Sequence, residues 1–233
     1  MTAPRALVFD VFGTLVDWRT GVLTEAAAVQ GRSGVRADWP VVVDDWRREY
    51  APSLLRARAE RPWRDLDAVH GQSLHRVLDR HGVALPTPER ESLVQSWRRL
   101  PPWPDTRAGL ERLRSRHVTA TLSNGHVALL VDLLRFGDLR MDAVLSAQLA
   151  DSYKPDPVVY ARAAELLGLA PQQVAMVAAH GEDLVAAAVV GLQPVFLRRP
   201  QEWGPGGGDE PPADLADLVV ADGLHHLAEQ WGC

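Results

Sequence analysis

The sequence predicts an α/β fold, a doubly wound parallel sheet with a helical cap inserted after the first strand. Two observations lead to this prediction. Short apolar runs of strand length alternate with helical segments along most of the chain, which is typical of right-handed βαβ units. Between residues 18 and 97 this alternation stops, and arginine-rich amphipathic segments follow one another without a convincing strand.

The first predicted strand is the apolar run at residues 6–9, which ends at Asp10 and a turn at Gly13. Further strands are predicted at residues 118–122, 174–179, 195–197 and, from a weaker pattern, 218–220. Helices are predicted between them at residues 126–134, 157–167, 184–190 and 224–231. Ligands of such sheets bind at the carboxyl ends of the strands, so the side chains there are candidates for a functional site.

The inserted helical region is predicted to contain segments at residues 41–59, 66–80 and 88–99. A stiff Pro-Pro-Trp-Pro segment at residues 101–104 marks the return of the chain to the sheet. We therefore predict a core domain formed by residues 1–16 and 101–233, and a cap domain formed by residues 17–100. The stretch at residues 202–212, which contains three consecutive glycines, is predicted to be a flexible surface loop.

Composition excludes several classes of partner. The 233 residues include 25 Lys and Arg against 30 Asp and Glu, so no basic excess favours binding to nucleic acid. We expect no signal peptide and no membrane span, because charged residues interrupt every apolar run near the start of the chain. The single cysteine, Cys233, excludes an internal disulfide and suits a reducing compartment, so we expect a cytoplasmic protein.

Polar side chains follow several of the predicted strands, and each has an ordinary structural explanation such as a turn or a helix cap. Together at one sheet edge they favour an active site. Lys154 adds a compact, titratable cation and is the only lysine in an arginine-rich chain. The strand-end residues are Asp10, Thr14, Ser123, Asn124, His180 and Asp183.

Four motifs in this order resemble those of the haloacid dehalogenase superfamily. The motifs are Asp-Val-Phe-Gly-Thr at residues 10–14, Leu-Ser-Asn-Gly at 122–125, Tyr-Lys-Pro-Asp at 153–156 and the Glu-Asp pair at 182–183. They span almost the whole chain. The resemblance implies a doubly wound core bearing a helical cap, with Asp10 as a catalytic nucleophile.

Most members of that superfamily transfer phosphoryl groups, so the reaction is decided from the chemistry. The phosphatases carry a second Asp two residues after the nucleophile to protonate the leaving alkoxide, whereas this chain has Phe12. Halide leaves unprotonated, so Phe12 is compatible with dehalogenation. Glu182 and Asp183 come late in their segment for the Mg²⁺ ligands of a phosphatase, so we expect no metal and no other cofactor.

Two alternatives stay open at this stage. A Mg²⁺-dependent small-molecule phosphatase uses the same scaffold, with Glu182 and Asp183 as a metal pair. A non-catalytic binding protein on this fold would be expected to lack Asp10 or Lys154, and both are present.

The closer resemblance is to the type II L-2-haloacid dehalogenases, through residues 10–15, 122–125 and 153–160. It implies hydrolysis of short 2-haloalkanoic acids to 2-hydroxyalkanoic acids through an ester on Asp10, with Lys154 as an activating cation. Asp183 is expected to orient or deprotonate the water. The positions that match substrate-binding residues of the family are Thr14, Ser123, Asn124 and Tyr160. The implied partners are the halocarboxylate, water and halide, together with a second copy of the chain in a homodimer.

This chain departs from the family pattern before its last Asp. Many type II dehalogenases carry Ser and Asn there, whereas this chain has Ala178 and His180. Imidazole has an ordinary pKa near 6.5, so we predict that His180 is the general base for ester hydrolysis. The alternative is a structural His180 that only hydrogen-bonds its neighbours. Ala178 has no hydroxyl, so the role of a serine there does not carry over.

The family's halide-binding arginine lies in the cap after a Trp. The segment Trp-Arg-Arg-Glu-Tyr at residues 46–50 matches this pattern loosely, and we choose Arg47 with Arg48 as its rival. A solvent-exposed helix face is the ordinary explanation for either arginine. Trp18, Trp46 and Trp63 are predicted to wall a small dry pocket, unless they simply fill the core.

Overall fold

A computed structural model describes residues 3–233 and contains one six-stranded sheet surrounded by helices. The strands are β1 (Ala6–Phe9), β2 (Val118–Ser123), β3 (Ala143–Ser146), β4 (Val174–Ala178), β5 (Gln193–Leu197) and β6 (Val219–Ala221). All neighbours pair in parallel, in the order β3-β2-β1-β4-β5-β6. The doubly wound α/β fold predicted from the sequence is confirmed.

Helices occupy most of the chain between the strands. They are α1 (Trp18–Ser33), α2 (Trp39–Arg48), α3 (Tyr50–Ala59), α4 (Leu66–Arg80), α5 (Thr87–Ser96), α6 (Thr106–Arg114), α7 (Val127–Gly137), α8 (Pro157–Leu166), α9 (Gly181–Val190) and α10 (Leu224–Gln230). Short 3₁₀ turns lie at Ala147–Ala150 and Pro171–Gln173. The predicted helical insertion is present, because α1 to α5 follow one another between β1 and β2 without a strand.

The centre of the sheet positions the site. Every residue of β1 and β4 is buried, as their continuous apolar sequences require of strands covered on both faces. The chain order of the strands runs in opposite directions on the two sides of β1, which is the place where doubly wound sheets bind ligands. Asp10 follows β1, and its backbone N–H donates to the carbonyl of Val177 in β4 at 3.0 Å. The ends of β1 and β4 therefore lie side by side.

Two elements differ from the sequence prediction. Strand β3 was not predicted, because this edge strand is only partly buried and its sequence runs directly into the apolar residues of the 3₁₀ turn at Ala147–Ala150. The segment predicted at residues 41–59 is two helices, α2 and α3, separated at Glu49. Pro52 has no N–H to donate to the carbonyl four residues earlier, at Arg48, so α2 ends there.

The return of the chain from the helical insertion lies against the residues that follow β1. The Asp17 N–H donates to the Pro101 carbonyl at 2.8 Å, and the Trp103 N–H donates to the Leu15 carbonyl at 3.1 Å. The two crossings of the chain are thus adjacent, as a cap inserted at one point requires. The domain bounds at residues 17–100 stay a prediction.

No helix among the described residues is both long enough and apolar enough to cross a bilayer.

Candidate active site

Asp10 is buried at the end of β1, and both of its carboxylate oxygens are engaged. Oδ1 accepts from Lys154 Nζ at 2.9 Å, and Oδ2 accepts from the Thr14 hydroxyl at 2.9 Å. Burial by itself would raise the pKa of Asp10, but the Lys154 charge and the His180 hydrogen bond hold it well below its usual value. Asp10 is therefore a buried carboxylate that stays ionised.

Lys154 lies between two carboxylates. Its ammonium contacts Asp10 Oδ1 at 2.9 Å and Asp183 Oδ2 at 2.5 Å, and only 8% of the residue is exposed. Burial by itself would lower the pKa of Lys154, but the charges of Asp10 and Asp183 raise it above its usual value. Lys154, the predicted cation, thus lies next to Asp10, the predicted nucleophile.

Asp183 lies in the first turn of α9, where the helix dipole favours a carboxylate. Its Oδ1 accepts from the Tyr160 hydroxyl of α8, so both of its oxygens have partners. Burial, together with the negative charge of Asp10, raises the pKa of Asp183 against the opposing effect of Lys154. Burial and the adjacent Asp183 raise the pKa of Tyr160.

The four predicted substrate-binding residues fall into two groups. Asn124 and Tyr160 line the cavity in front of Asp10. Thr14 and Ser123 are fully buried and are absent from the wall of that cavity. The Thr14 hydroxyl donates to Asp10 and accepts from the Ala179 N–H, while Ser123 Oγ accepts from the Gly125 N–H. Both hydroxyls contact protein groups at the strand ends, and neither reaches the cavity wall.

Asn124 joins the nucleophile's neighbourhood to the cap. Its Oδ1 accepts from the backbone N–H of Lys154 at 2.7 Å, which holds the loop that carries the lysine. The Asn124 side chain lies close to Tyr50, whose pKa burial raises to about 12. Tyr50 lines the same cavity from α3.

His180 lies between two carboxylates. Its Nδ1 is 3.3 Å from Asp10 Oδ2, and its Nε2 is 3.0 and 3.1 Å from the two oxygens of Glu202. Burial by itself would lower the pKa of His180, but Glu202 and Asp10 raise it to about 10. The imidazole is therefore protonated at neutral pH while Asp10 is a free carboxylate, so the ordinary pKa of 6.5 used in the sequence prediction does not apply to this state.

Glu202 was not among the predicted site residues, and its position contradicts a prediction about the loop that contains it. The stretch at residues 202–212 was predicted to be a flexible surface loop, yet Glu202 at its start is 0% exposed. Its Oε1 also accepts from Trp18 Nε1 at 3.0 Å. The surrounding glycines and prolines suggested exposure, and only an acidic side chain beside a Trp hinted at anything else.

Arg47 and Arg48 of the cap both line the cavity in front of Asp10, but only Arg47 is buried. The Arg47 side chain is 9% exposed, and its Cζ lies 4.5 Å from the Tyr50 ring centroid and 5.4 Å from that of Trp18. Within residues 3–233 its Nε has no hydrogen-bond partner. The Arg48 side chain is 63% exposed and pairs with Asp45 at 2.8 Å.

A cavity of about 600 Å³ lies between the cap and the carboxyl edge of the sheet. Asp10, Phe12, Arg47, Lys154 and His180 contribute to its wall. The Phe12 ring packs edge-on against Trp97, with ring centroids 5.4 Å apart. The predicted tryptophan wall is not found, because the cavity wall does not include Trp18, Trp46 or Trp63. Each of them donates its indole N–H to another group of the protein.

The Glu182 and Asp183 pair does not form a compact acidic site. Asp183 is buried against Lys154 and Tyr160, whereas Glu182 is exposed. The positive group between the carboxylates of Asp10 and Asp183 is the lysine ammonium. No group of three metal-ligating side chains is found in the described part of the chain.

Comparisons with known proteins agree with this geometry. A model of the haloacid dehalogenase-like hydrolase family matches residues 4–191. The (S)-2-haloacid dehalogenase 4A of Burkholderia cepacia is 30% identical over 97% of this chain and 93% of its own.

Solved structures give the same result. The crystal structure of an L-2-haloacid dehalogenase is 41% identical, covers 99% of both chains and superposes with a TM-score of 0.91. An L-2-haloacid dehalogenase of Xanthobacter autotrophicus with chloropropionic acid covalently bound is 25% identical, covers 98% of both chains and has a TM-score of 0.80.

Proposed function

This chain belongs to the haloacid dehalogenase-like hydrolases, and we propose that it hydrolyses short (S)-2-haloalkanoic acids to 2-hydroxyalkanoic acids. One observation carries the proposal. Asp10 faces the cavity as a buried, ionised carboxylate held by Lys154 and Thr14, and the residue two positions later is Phe12 instead of an acid. This arrangement suits a nucleophile whose leaving group needs no proton.

The first step is displacement at carbon. A carboxylate oxygen of Asp10 attacks C2 of the substrate, and the new C–O bond forms as the carbon–halogen bond breaks. The halide leaves with the bonding electron pair, so no acid is required. In-line attack inverts C2, and the product is therefore the (R)-2-hydroxy acid.

Arg47 receives the departing halide from the cap side of the cavity. Its side chain lines the cavity and is buried among the rings of Tyr50 and Trp18, and within residues 3–233 its buried Nε has no hydrogen-bond partner. On the sheet side, Asn124 and Tyr160 reach the substrate directly. Thr14 and Ser123 do not line the cavity, and Thr14 holds the Asp10 carboxylate in place through its hydroxyl.

The second step is hydrolysis of the ester. Water attacks Cγ of Asp10, Lys154 stabilises the oxyanion that develops there, and the 2-hydroxy acid leaves with an oxygen that belonged to Asp10. The water oxygen stays in the regenerated carboxylate. His180 takes the proton from the water, and Asp183 orients the water through its position beside Lys154.

The phosphatase alternative is disfavoured by the same residues. Phe12 has no proton for a leaving alkoxide, and the Lys154 ammonium lies between the two carboxylates that would otherwise be available to Mg²⁺. The similarity to (S)-2-haloacid dehalogenases also supports dehalogenation.

The cellular setting is part of the proposal. We place the enzyme in the cytoplasm, which its single cysteine suits, and we expect a homodimer from the resemblance to the type II dehalogenases.

The experiment is a halide-release assay on (S)- and (R)-2-chloropropionate, with and without EDTA, beside a phosphatase assay on p-nitrophenyl phosphate with Mg²⁺. We expect halide from the S enantiomer only, at a rate that EDTA leaves unchanged. Phosphate release that needs Mg²⁺, in the absence of halide release, would establish the phosphatase instead.

A further inference from the structure

Glu202 is a buried carboxylate that the mechanism above has not used. It lies in the segment that links β5 to β6, and it is 0% exposed. Its two oxygens face His180 Nε2 at 3.0 and 3.1 Å, and Oε1 also accepts from Trp18 Nε1 at 3.0 Å. A guanidinium nitrogen of Arg47 lies 3.9 Å from Oε1. Both walls of the cavity therefore contact this one side chain.

The start of the loop is held firmly enough to define where Glu202 lies. Arg199, three residues earlier, donates from Nε to the carbonyl of Thr14 at 2.8 Å and pairs with Asp105 at 2.8 Å. The Glu202 N–H donates to the Arg199 carbonyl at 3.1 Å. Gly13 leaves the space for the carboxylate, because a Cβ there would overlap Glu202 Oε1.

A buried carboxylate is costly unless charged and polar groups compensate it. An exposed loop has no need of one, and a neutral side chain could pack in the same space. Here the compensation comes mainly from His180, the side chain proposed to act on the ester. The buried Glu202 carboxylate is thus paired with a side chain of the proposed active site, His180.

We propose that Glu202 is a positioning residue that binds Nε2–H of His180, so that Nδ1 is the nitrogen presented to the Asp10 ester. The proposal rests on the proposed function. The geometry supports it directly, because the same imidazole ring has Nε2 against Glu202 and Nδ1 3.3 Å from Asp10 Oδ2. A histidine held in this way has its tautomer set by the partner of its other nitrogen.

The surrounding charges explain how a protonated histidine becomes a base. The carboxylates that act on His180 are Asp10, Glu202 and Asp209, and the nearby cation Arg47 faces Glu202. Displacement converts Asp10 into a neutral ester, which removes one of the charges that hold the Nδ1 proton. That proton is then released to solvent, while Glu202 retains Nε2–H. Neutral Nδ1 accepts one proton from the attacking water and returns it to the alkoxide that leaves. The second water proton remains on the new Asp10 carboxyl group and passes to Nδ1, which restores the Asp10 carboxylate and the protonated His180.

Glu202→Gln tests the proposal, because the amide keeps the size of the side chain and removes its charge. Rapid-quench measurements with (S)-2-bromopropionate follow halide release and the mass of the ester adduct on the intact protein. We expect a wild-type burst of one halide per site, followed by ester hydrolysis slowed roughly 10- to 100-fold, within the range for positioned acid–base groups. The burst amplitude also reports the folded fraction. Glu229→Gln, an exposed glutamate on α10, is the matched control.

The pH profile separates positioning from packing. Hydrolysis requires neutral His180, and loss of the Glu202 charge lowers the pKa of His180, so the acid limb of the hydrolysis step moves down by about one pH unit or more. Glu202→Asp retains the charge, so its acid limb stays closer to that of the wild type. In a His180→Asn background, Glu202→Gln should add little further loss.

Three results would overturn the proposal. They are ester hydrolysis at the wild-type rate in Glu202→Gln, an equal loss in the burst and hydrolysis rates, or an undiminished effect of Glu202→Gln in the His180→Asn background. If Glu202→Gln does not fold, Glu202→Asp takes its place, and an equal loss in its burst and hydrolysis rates would count against the proposal. Failure of the wild-type enzyme to release halide would refute the proposed function and is distinguishable from all of these.

Discussion

The sheet wall and the cap wall of the cavity satisfy their charged groups in different ways. On the sheet wall, the Lys154 ammonium contacts the carboxylates of Asp10 and Asp183 at 2.9 Å or less. On the cap wall, Arg47 lies 3.9 Å from its nearest carboxylate, and aromatic rings surround it. Charges that are already in place stabilise a transition state without reorganisation. The sheet wall is therefore suited to making and breaking covalent bonds, and the cap wall to receiving an anion.

Asp10→Asn should have the largest effect, because it removes the nucleophile from the sheet wall. We expect activity to fall roughly 10⁴-fold or more, as for other enzymes that lose a nucleophile, with an unchanged circular dichroism spectrum. Asp138→Asn, at an exposed position, is the control and should be fully active.

The covalent role of Asp10 has its own measurement. A single turnover in H₂¹⁸O should place the label in Asp10 and leave the first product unlabelled, because water attacks Cγ. Label that enters the product in that first turnover would exclude the ester on Asp10. It would also exclude the assignment of covalent bond formation to the sheet wall.

Lys154→Arg should lose roughly 10³-fold in kcat, close to the loss in Lys154→Ala, at the upper end of the effect of removing one electrostatic donor. The ammonium fits between two carboxylates as a compact charge, whereas a guanidinium is larger and planar. Single-turnover halide release and ester hydrolysis are measured for both variants. Near wild-type kcat in the arginine variant would mean that this wall needs only a positive charge.

His180→Ala tests the junction between the walls, because His180 contacts Asp10 on one side and Glu202 on the other. Displacement needs no base, so one halide per site should still be released. Ester hydrolysis should slow roughly 10²–10³-fold, and the intact protein should gain the mass of one substrate acyl unit. His180→Asn should recover part of the rate if water positioning matters more than proton removal. Wild-type turnover without an adduct would leave Asp183 as the sole base.

The sheet wall could be predicted from the sequence because its residues follow strands. Asp10, Asn124 and Asp183 occupy positions that the parallel topology brings to one edge, whatever the intervening loops do. Lys154 follows no recognised strand, but its rarity and the motif around it singled it out. Strand β3, which leads into the loop carrying Lys154, was missed because it is a partly buried edge strand that runs directly into a 3₁₀ turn.

The rest of the site could not be predicted, for physical reasons. Glu202 lies in a loop whose glycines and prolines indicate exposure, and its burial depends on the anchoring of Arg199, which no local pattern reveals. In the cap, the break before Pro52 determines how α3 follows α2, so the register of Arg47 and Arg48 toward the cavity was ambiguous. The shifted pKa of His180 follows from Glu202 and was equally hidden.

Arg47→Ala should have the smallest effect of this series and tests the cap wall alone. Removal of one hydrogen bond to a charged group costs roughly 10- to 100-fold, and the loss should fall on the halide burst rate, because the ester forms only when halide leaves. Ester hydrolysis should change little, since Arg47 does not contact Asp10. Arg48→Ala is the comparison that decides between the rival arginines, and its burst rate should stay within about threefold of the wild type, because an exposed ion pair contributes little. A larger loss in Arg48→Ala than in Arg47→Ala would reverse the assignment, and an equal slowing of both steps by Arg47→Ala would show that the two walls do not divide the reaction.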